Sequence, residues 1–118
     1  MLKVRIQIFL QILLLIGLAF SLRHFGWNWD EGTLLHPDER HLAMVTQVLD
    51  NDGNWFDSQK SGFNPYNKGI HSYVYGLLPI KLVHAFTVAR GITDLAEIER
   101  VGRLFSALWS TGTVALIY

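Results

Sequence analysis

From Ile6 to Leu22 the chain runs for seventeen residues without a charge, interrupted only by Gln7, Gln11 and Ser21. As a helix the run is about 25 Å long at about 1.5 Å per residue. Val4 and the aliphatic stem of Arg5 bring it close to the roughly 30 Å of a hydrocarbon core. It is read as a retained transmembrane helix. The alternative is a secretory signal peptide, because Lys3 and Arg5 form a basic start. The run is longer than the usual signal core, however, and Ala19-Phe20-Ser21 is a weak cleavage site. A secreted domain cleaved near Ser21 would also leave a second apolar run unexplained.

That second run is Leu104–Tyr118, fifteen residues without a charge, where the sequence ends. A spanning helix needs about twenty. The expectation is therefore a second transmembrane helix, 101–118, cut short within an N-terminal fragment of a longer protein. All ten acidic residues lie between Asp30 and Glu99, whereas Lys3 and Arg5 precede the first helix alone. The positive-inside tendency then places the N-terminus in the cytoplasm and the intervening loop outside; Arg23 counts the other way. The expected fold is an all-α membrane protein fragment. Two transmembrane helices, 1–22 and 101–118, flank an extracytoplasmic loop, 23–100, that carries amphipathic interfacial helices at about 37–50 and 70–90.

Composition removes several function classes. Ten basic and ten acidic residues are intermixed, which argues against a nucleic-acid partner held by a broad cationic face. The absence of cysteine excludes disulfide scaffolds, thiolate zinc sites and thiol catalysis within this chain. A sequence that is 50% hydrophobic is not a disordered one.

Within the loop, Pro37 begins a helical pattern, since proline suits a first turn whose N–H has no helical partner. Asp38 and Glu39 follow and complement the helix dipole. Leu42, Val45, Val48 and Leu49 project as one stripe, with His41 at its edge and Arg40, Gln47 and Asp50 opposite. The cluster Asp50-Asn51-Asp52-Gly53-Asn54 ends the pattern. The stretch 70–90 is apolar at first, then interrupted by Lys81 and His84, with Pro79 expected to kink it. It reads as interfacial or partly embedded; a third span is the alternative. Gly91-Ile92-Thr93-Asp94 closes it, and Thr93 or Asp94 can cap a short acidic turn leading to Arg100. Trp27, Trp29, Trp55 and Phe56 suit either a membrane interface or simple packing of the loop.

Among residues able to carry chemistry, Asp38-Glu39 stands out. Two carboxylates at a helix start beside a membrane could hold a cation or accept a proton from a hydroxyl. They could equally be routine helix-start residues, and Asp30-Glu31 shows how cheap the dipeptide is. His36 and His41 are five apart, which a helix does not align for a metal. Asp50-Asn51-Asp52 fails as a calcium loop: its sixth position is Trp55, not glycine, and its twelfth is Ser61, not glutamate. No glycine-rich phosphate loop or Gly-x-Ser-x-Gly elbow occurs. Arg103, at the mouth of the last run, can snorkel or bind a lipid phosphate through its planar fork.

Taken in order, these pieces resemble the start of a GT-C glycosyltransferase, the superfamily of multi-spanning enzymes that includes protein O-mannosyltransferases and lipid A aminoarabinose transferases. The resemblance lies in a basic N-terminus, a first span, Leu35-His36-Pro37-Asp38-Glu39 soon after, and a long loop. That loop includes Asn64-Pro65-Tyr66-Asn67-Lys68-Gly69 and Tyr75-Gly76-Leu77-Leu78-Pro79, and Val101-Gly102-Arg103-Leu104-Phe105-Ser106-Ala107-Leu108 closes it. Several relatives carry Pro-Pro-Leu where this chain has Asn64-Pro65-Tyr66. The resemblance implies sugar transfer from a polyprenyl-phosphate carrier in the lipid bilayer to a hydroxyl acceptor. It makes Asp38 the general base and Glu39 its catalytic neighbour. Arg103, His36 and Arg40 become substrate-binding candidates. It implies no certain cofactor, a divalent metal being possible because the superfamily varies in that respect. The other reading is a non-catalytic membrane subunit whose aromatic loop, with Trp27, Trp29 and Phe56, binds a partner.

Overall fold

The computed structural model describes residues 2–53, 55–57 and 59–117; Asn54 of the expected turn cluster and Tyr118 of the final run lie outside the described residues. The described chain is all-helical: α1 Leu2–His24, α2 Pro37–Gln47, a 3-10 turn Pro65–Lys68, α3 Leu77–Arg90 and α4 Leu95–Ile117, with no strand among the described residues. It divides into two compact units, Met1–Trp29 with Arg103–Tyr118, and Asp30–Gly102.

In the first unit, α1 is 23 residues long, or about 34 Å. Its span-like stretch Lys3–His24 has a mean hydropathy of 2.0, with 6% of its most apolar window buried. Leu10, Leu13, Leu14 and Leu18 face outward. The few polar groups toward its end are satisfied within the helix: Ser21 Oγ donates to Gly17 O (2.8 Å) and Arg23 Nη1 to Ala19 O (3.1 Å). Self-contained hydrogen bonding is what a helix in hydrocarbon requires. Among the described helices α1 alone is long and apolar enough to cross a membrane, a test that a signal sequence would also pass.

The second expected span emerges differently. Instead of an acidic turn followed by a new helix at 101, α4 runs unbroken from Leu95. Glu97, Glu99, Arg100 and Arg103 all fall in its first part, leaving Leu104–Ile117 as the uncharged remainder. These fourteen residues cover about 21 Å, short of the roughly 30 Å of a hydrocarbon core. Asp94 starts the helix, its Oδ1 accepting from Glu97 N (3.0 Å). Of the two caps that the sequence offers, Thr93 and Asp94, the structure uses Asp94, and the helix it caps is longer than a turn.

The second unit is built on α2 packed against α3. Val45, Leu49, Tyr73 and Ile80 are buried together, with Leu42, Ile70 and Leu77 against them. Each aliphatic side chain so covered contributes about 1.5–3 kcal/mol. The expected stripe on α2 is therefore covered by protein, not left to lie on lipid. Val48, assigned to that stripe, is instead 44% exposed. The reason is local: the helix ends at Gln47, three residues before the expected limit, and Val48 is its cap. The following chain leaves to pair with a distant loop, Asp50 N donating to Gly62 O (3.2 Å) and Gly62 N to Asp52 O (2.9 Å). A side chain at Gly62 would collide with the Asp52 carboxylate.

The stretch expected to be helical from 70 begins only at Leu77. Two tyrosines hold the preceding segment out of the helix: Tyr66 Oη donates to Tyr73 O and Tyr73 Oη to Gly76 O, both at 2.7 Å. Pro79 then falls in the first turn, where its missing N–H costs nothing, so it marks a start and makes no interior kink. At 14 residues α3 is too short for a third span, and it buries Lys81, His84 and Thr87. It ends as expected at Gly91, whose left-handed φ of 65° lets its N–H reach back to Val88 O.

Candidate functional site

The candidate site is the start of α2. His36 is in extended conformation (φ −80°, ψ 114°), Pro37 occupies the first turn, and Asp38 and Glu39 complete it. The imidazole Nδ1 of His36 accepts from Glu39 N at 3.4 Å. His36 thus serves as a helix cap, a role usually taken by serine, threonine, aspartate or asparagine. Asp38 and Arg40 are exposed and Glu39 is half-buried. Asp38 forms no ion pair or hydrogen bond among the described residues, whereas Glu39 is engaged. The three charged candidates therefore differ: one open carboxylate, one engaged carboxylate and one exposed cation at a single helix start.

The approach to this helix carries backbone strain. Gly26 and Gly32 have positive φ, and so do two non-glycine residues, Glu31 (53°) and Leu34 (57°). The left-handed region costs an ordinary residue about 1–2 kcal/mol. It persists here within a turn in which Asp30 O accepts from both Thr33 N (3.0 Å) and Thr33 Oγ1 (2.6 Å). A Cβ at Gly32 would lie 2.9 Å from Arg100 Nη2, so the turn passes close beneath the start of α4. Asp30 is buried at 4% exposure, unlike its neighbour Glu31. The two look interchangeable in the sequence; their environments are not.

Arg103 belongs to the other unit. There its Nη1 donates to Trp27 O (2.9 Å), and its guanidinium lies 5.5 Å above the Trp29 ring. Trp27 in turn stacks on His24 (5.2 Å, 22°), and His24 on Phe20 (5.3 Å, 24°). Trp27 and Trp29 thus have intramolecular partners while remaining 41% and 56% exposed. Phe56, their companion in the aromatic reading, is 95% exposed.

Lys81 and His84, which interrupt the apolar pattern of α3 in the sequence, are buried in the fold. Lys81 Nζ donates to Trp55 O (2.5 Å) and sits 5.8 Å from the Phe63 ring centroid. His84 Nδ1 lies 3.0 Å from Thr46 O, tying α3 to α2, while Phe63 meets the imidazole edge-on at 5.8 Å. Both lie on the α3 face that also carries Ile80, Val83 and Thr87. The only signal available was their spacing, Ile80, Lys81, His84 and Thr87 recurring at helical intervals.

The two sides of the Asp50-Asn51-Asp52 turn are used structurally, Asp50 pairing with Lys68. That hydrogen bond holds the Lys68 ammonium above its ordinary pKa. No group of three or more metal-binding side chains occurs among the described residues. Comparison of the chain with protein-family models, with curated proteins and with solved structures finds no match.

Proposed function

We propose that this chain is the N-terminal part of an integral-membrane glycosyltransferase. It moves a sugar from a polyprenyl-phosphate carrier to a hydroxyl acceptor on the outer face of the membrane, with Asp38 as general base. The observation that carries the reading is the open Asp38 carboxylate in the first turn of α2, exposed and with no ion pair or hydrogen bond among the described residues. It stands fourteen residues after His24, the end of a helix able to cross a bilayer. The carrier phosphate is already a good leaving group, so a positioned base and charge neutralisation suffice for transfer. In this reading Glu39 orders the helix start beside the base. His36 and Arg40 flank it on the same turn and contact the substrate, and Arg103 faces the carrier phosphate. Topology follows from Lys3 and Arg5: N-terminus inside, loop outside, with α4 continuing as the second span.

The test is sugar transfer by membranes containing the full-length protein with Asp38→Asn. Loss of transfer with expression and membrane insertion intact supports the assignment. Near-normal turnover removes Asp38 from the mechanism. A second reading, a non-catalytic membrane subunit whose aromatic loop binds a partner, draws on the 95% exposure of Phe56. Under it, Phe56→Ala, Trp27→Ala and Trp29→Ala weaken association, and Asp38→Asn leaves every measured property unchanged.

A further inference from the structure

The segment just before and within the first turn of α3 presents apolar side chains that the described residues leave largely exposed. Val74 is 82% exposed, Leu78 62% and Tyr75 46%. This is not slack chain. Tyr66 and Tyr73 fix its backbone through the two hydroxyl–carbonyl bonds at 2.7 Å. The Tyr75 ring is also held edge-on to Tyr73, centroids 5.8 Å apart. Val74, Tyr75 and Leu78 thus face outward on a backbone held by the buried Tyr73 and the half-exposed Tyr66. From Ile70 to Ile80 the chain carries no charged residue.

We propose that Val74–Leu78 is a membrane-interface anchor, seated at the headgroup level of the bilayer that α1 crosses. The proposal rests on reading α1 as a membrane span. Phe25–Trp29 are the five residues between α1 and Asp30. An extended chain covers at most about 3.5 Å per residue, so a bilayer holding α1 begins within about 20 Å of Asp30. A lipid surface is thus tethered close to the start of the second unit. Three projecting side chains are far too few for a stable protein interface, which takes about 800 Å² from each partner. Depth is limited by α3 itself. Gly76 supplies no side-chain cap, leaving first-turn N–H groups in need of acceptors that water and headgroups provide and hydrocarbon does not. Tyr75, apolar in body and polar at its tip, suits the same level. Because no charge takes part, seating does not depend on anionic lipid.

The chain contains no cysteine, so single-cysteine variants can be labelled cleanly with an environment-sensitive fluorophore. The full chain is reconstituted in phosphatidylcholine vesicles with the label at Val74→Cys or Leu78→Cys. Leu14→Cys in α1 reports the span, and the exposed Asn51→Cys reports water. Labels at 74 and 78 are expected to be blue-shifted, quenched by lipids spin-labelled near the headgroup, and several-fold less accessible to iodide than the label at 51. If the 14 label lies in lipid while the 74 label matches the 51 label, the anchor is wrong and the span stands. If the 14 label is itself open to iodide, the span reading falls and the anchor with it. Shielding of the 74 label from both iodide and spin-labelled lipid means that protein covers the segment, which also overturns the proposal.

Discussion

Tyr73 is the residue on which the second unit's architecture can be tested most sharply. It is 2% exposed, packs with Val45, Leu49 and Ile80, and donates its hydroxyl proton to Gly76 O at 2.7 Å. Tyr73→Phe keeps the ring and deletes only that bond, so the expected loss is about 1 kcal/mol. The consequence is local: Gly76 is the residue from which α3 starts. Amide hydrogen exchange in α2 and α3 of the membrane-inserted chain should then accelerate about fivefold at neutral pH, with α1 unchanged. A second signature comes from titration. Burial, and to a lesser degree the neighbouring Tyr75, raise the Tyr73 phenol from 10.0 to about 12. Below pH 10 the folded and unfolded chains both keep the proton and the contribution is fully present. Above it the unfolded chain ionises first, so stability falls as pH rises toward 12, by roughly 2–3 kcal/mol in all. Other tyrosines and lysines titrate nearby, so the quantity to compare is the difference between wild type and Tyr73→Phe. The variant should lack this component of the alkaline loss. Unchanged exchange together with an unchanged alkaline profile would refute the placement of Tyr73 in this core.

Three further outcomes are expected. Gly91→Ala should cost about 1–2 kcal/mol, because φ is +65° there and open space around the glycine leaves only the backbone penalty; a thermal midpoint equal to wild type would contradict the left-handed end of α3. His36→Ser replaces a long cap bond of 3.4 Å by a preferred capping residue. It should hold the α2 first turn at least as firmly, by up to about 0.5 kcal/mol. Exchange at Glu39 and Arg40 reads this directly, and a faster rate would sink the capping role. If His36 also touches substrate, the same variant loses sugar transfer despite its firmer helix. Asp38→Asn should abolish transfer without changing α2 exchange, which separates a chemical role from a helix-start role.

Much of the secondary structure was legible because it is governed by near neighbours. The charge-free run beginning at Ile6 is helical in any environment that satisfies its backbone. Pro37 and Gly91 mark a helix start and a helix end by their own φ preferences, and Asp94 caps a helix as its side chain predicts. The candidate site was legible to the same depth: that Asp38 and Glu39 occupy a first turn follows from Pro37 alone. That one carboxylate is open and the other engaged does not follow from the dipeptide, nor does the burial of Asp30 beside exposed Glu31.

What the tertiary structure decided are features set by partners distant in sequence. The helix at 37–50 stops at Gln47 because Asp50 and Asp52 pair with Gly62. The helix at 70–90 waits until Leu77 because Tyr66 and Tyr73 bind the intervening carbonyls. Lys81 and His84 look like interruptions of an apolar segment. They turn inward because Trp55 O and Thr46 O, 26 and 38 residues away, accept their protons. Periodicity reports which side of a helix is apolar, but a buried polar side chain is stable only where a specific acceptor awaits it. The location of that acceptor is a property of the folded chain.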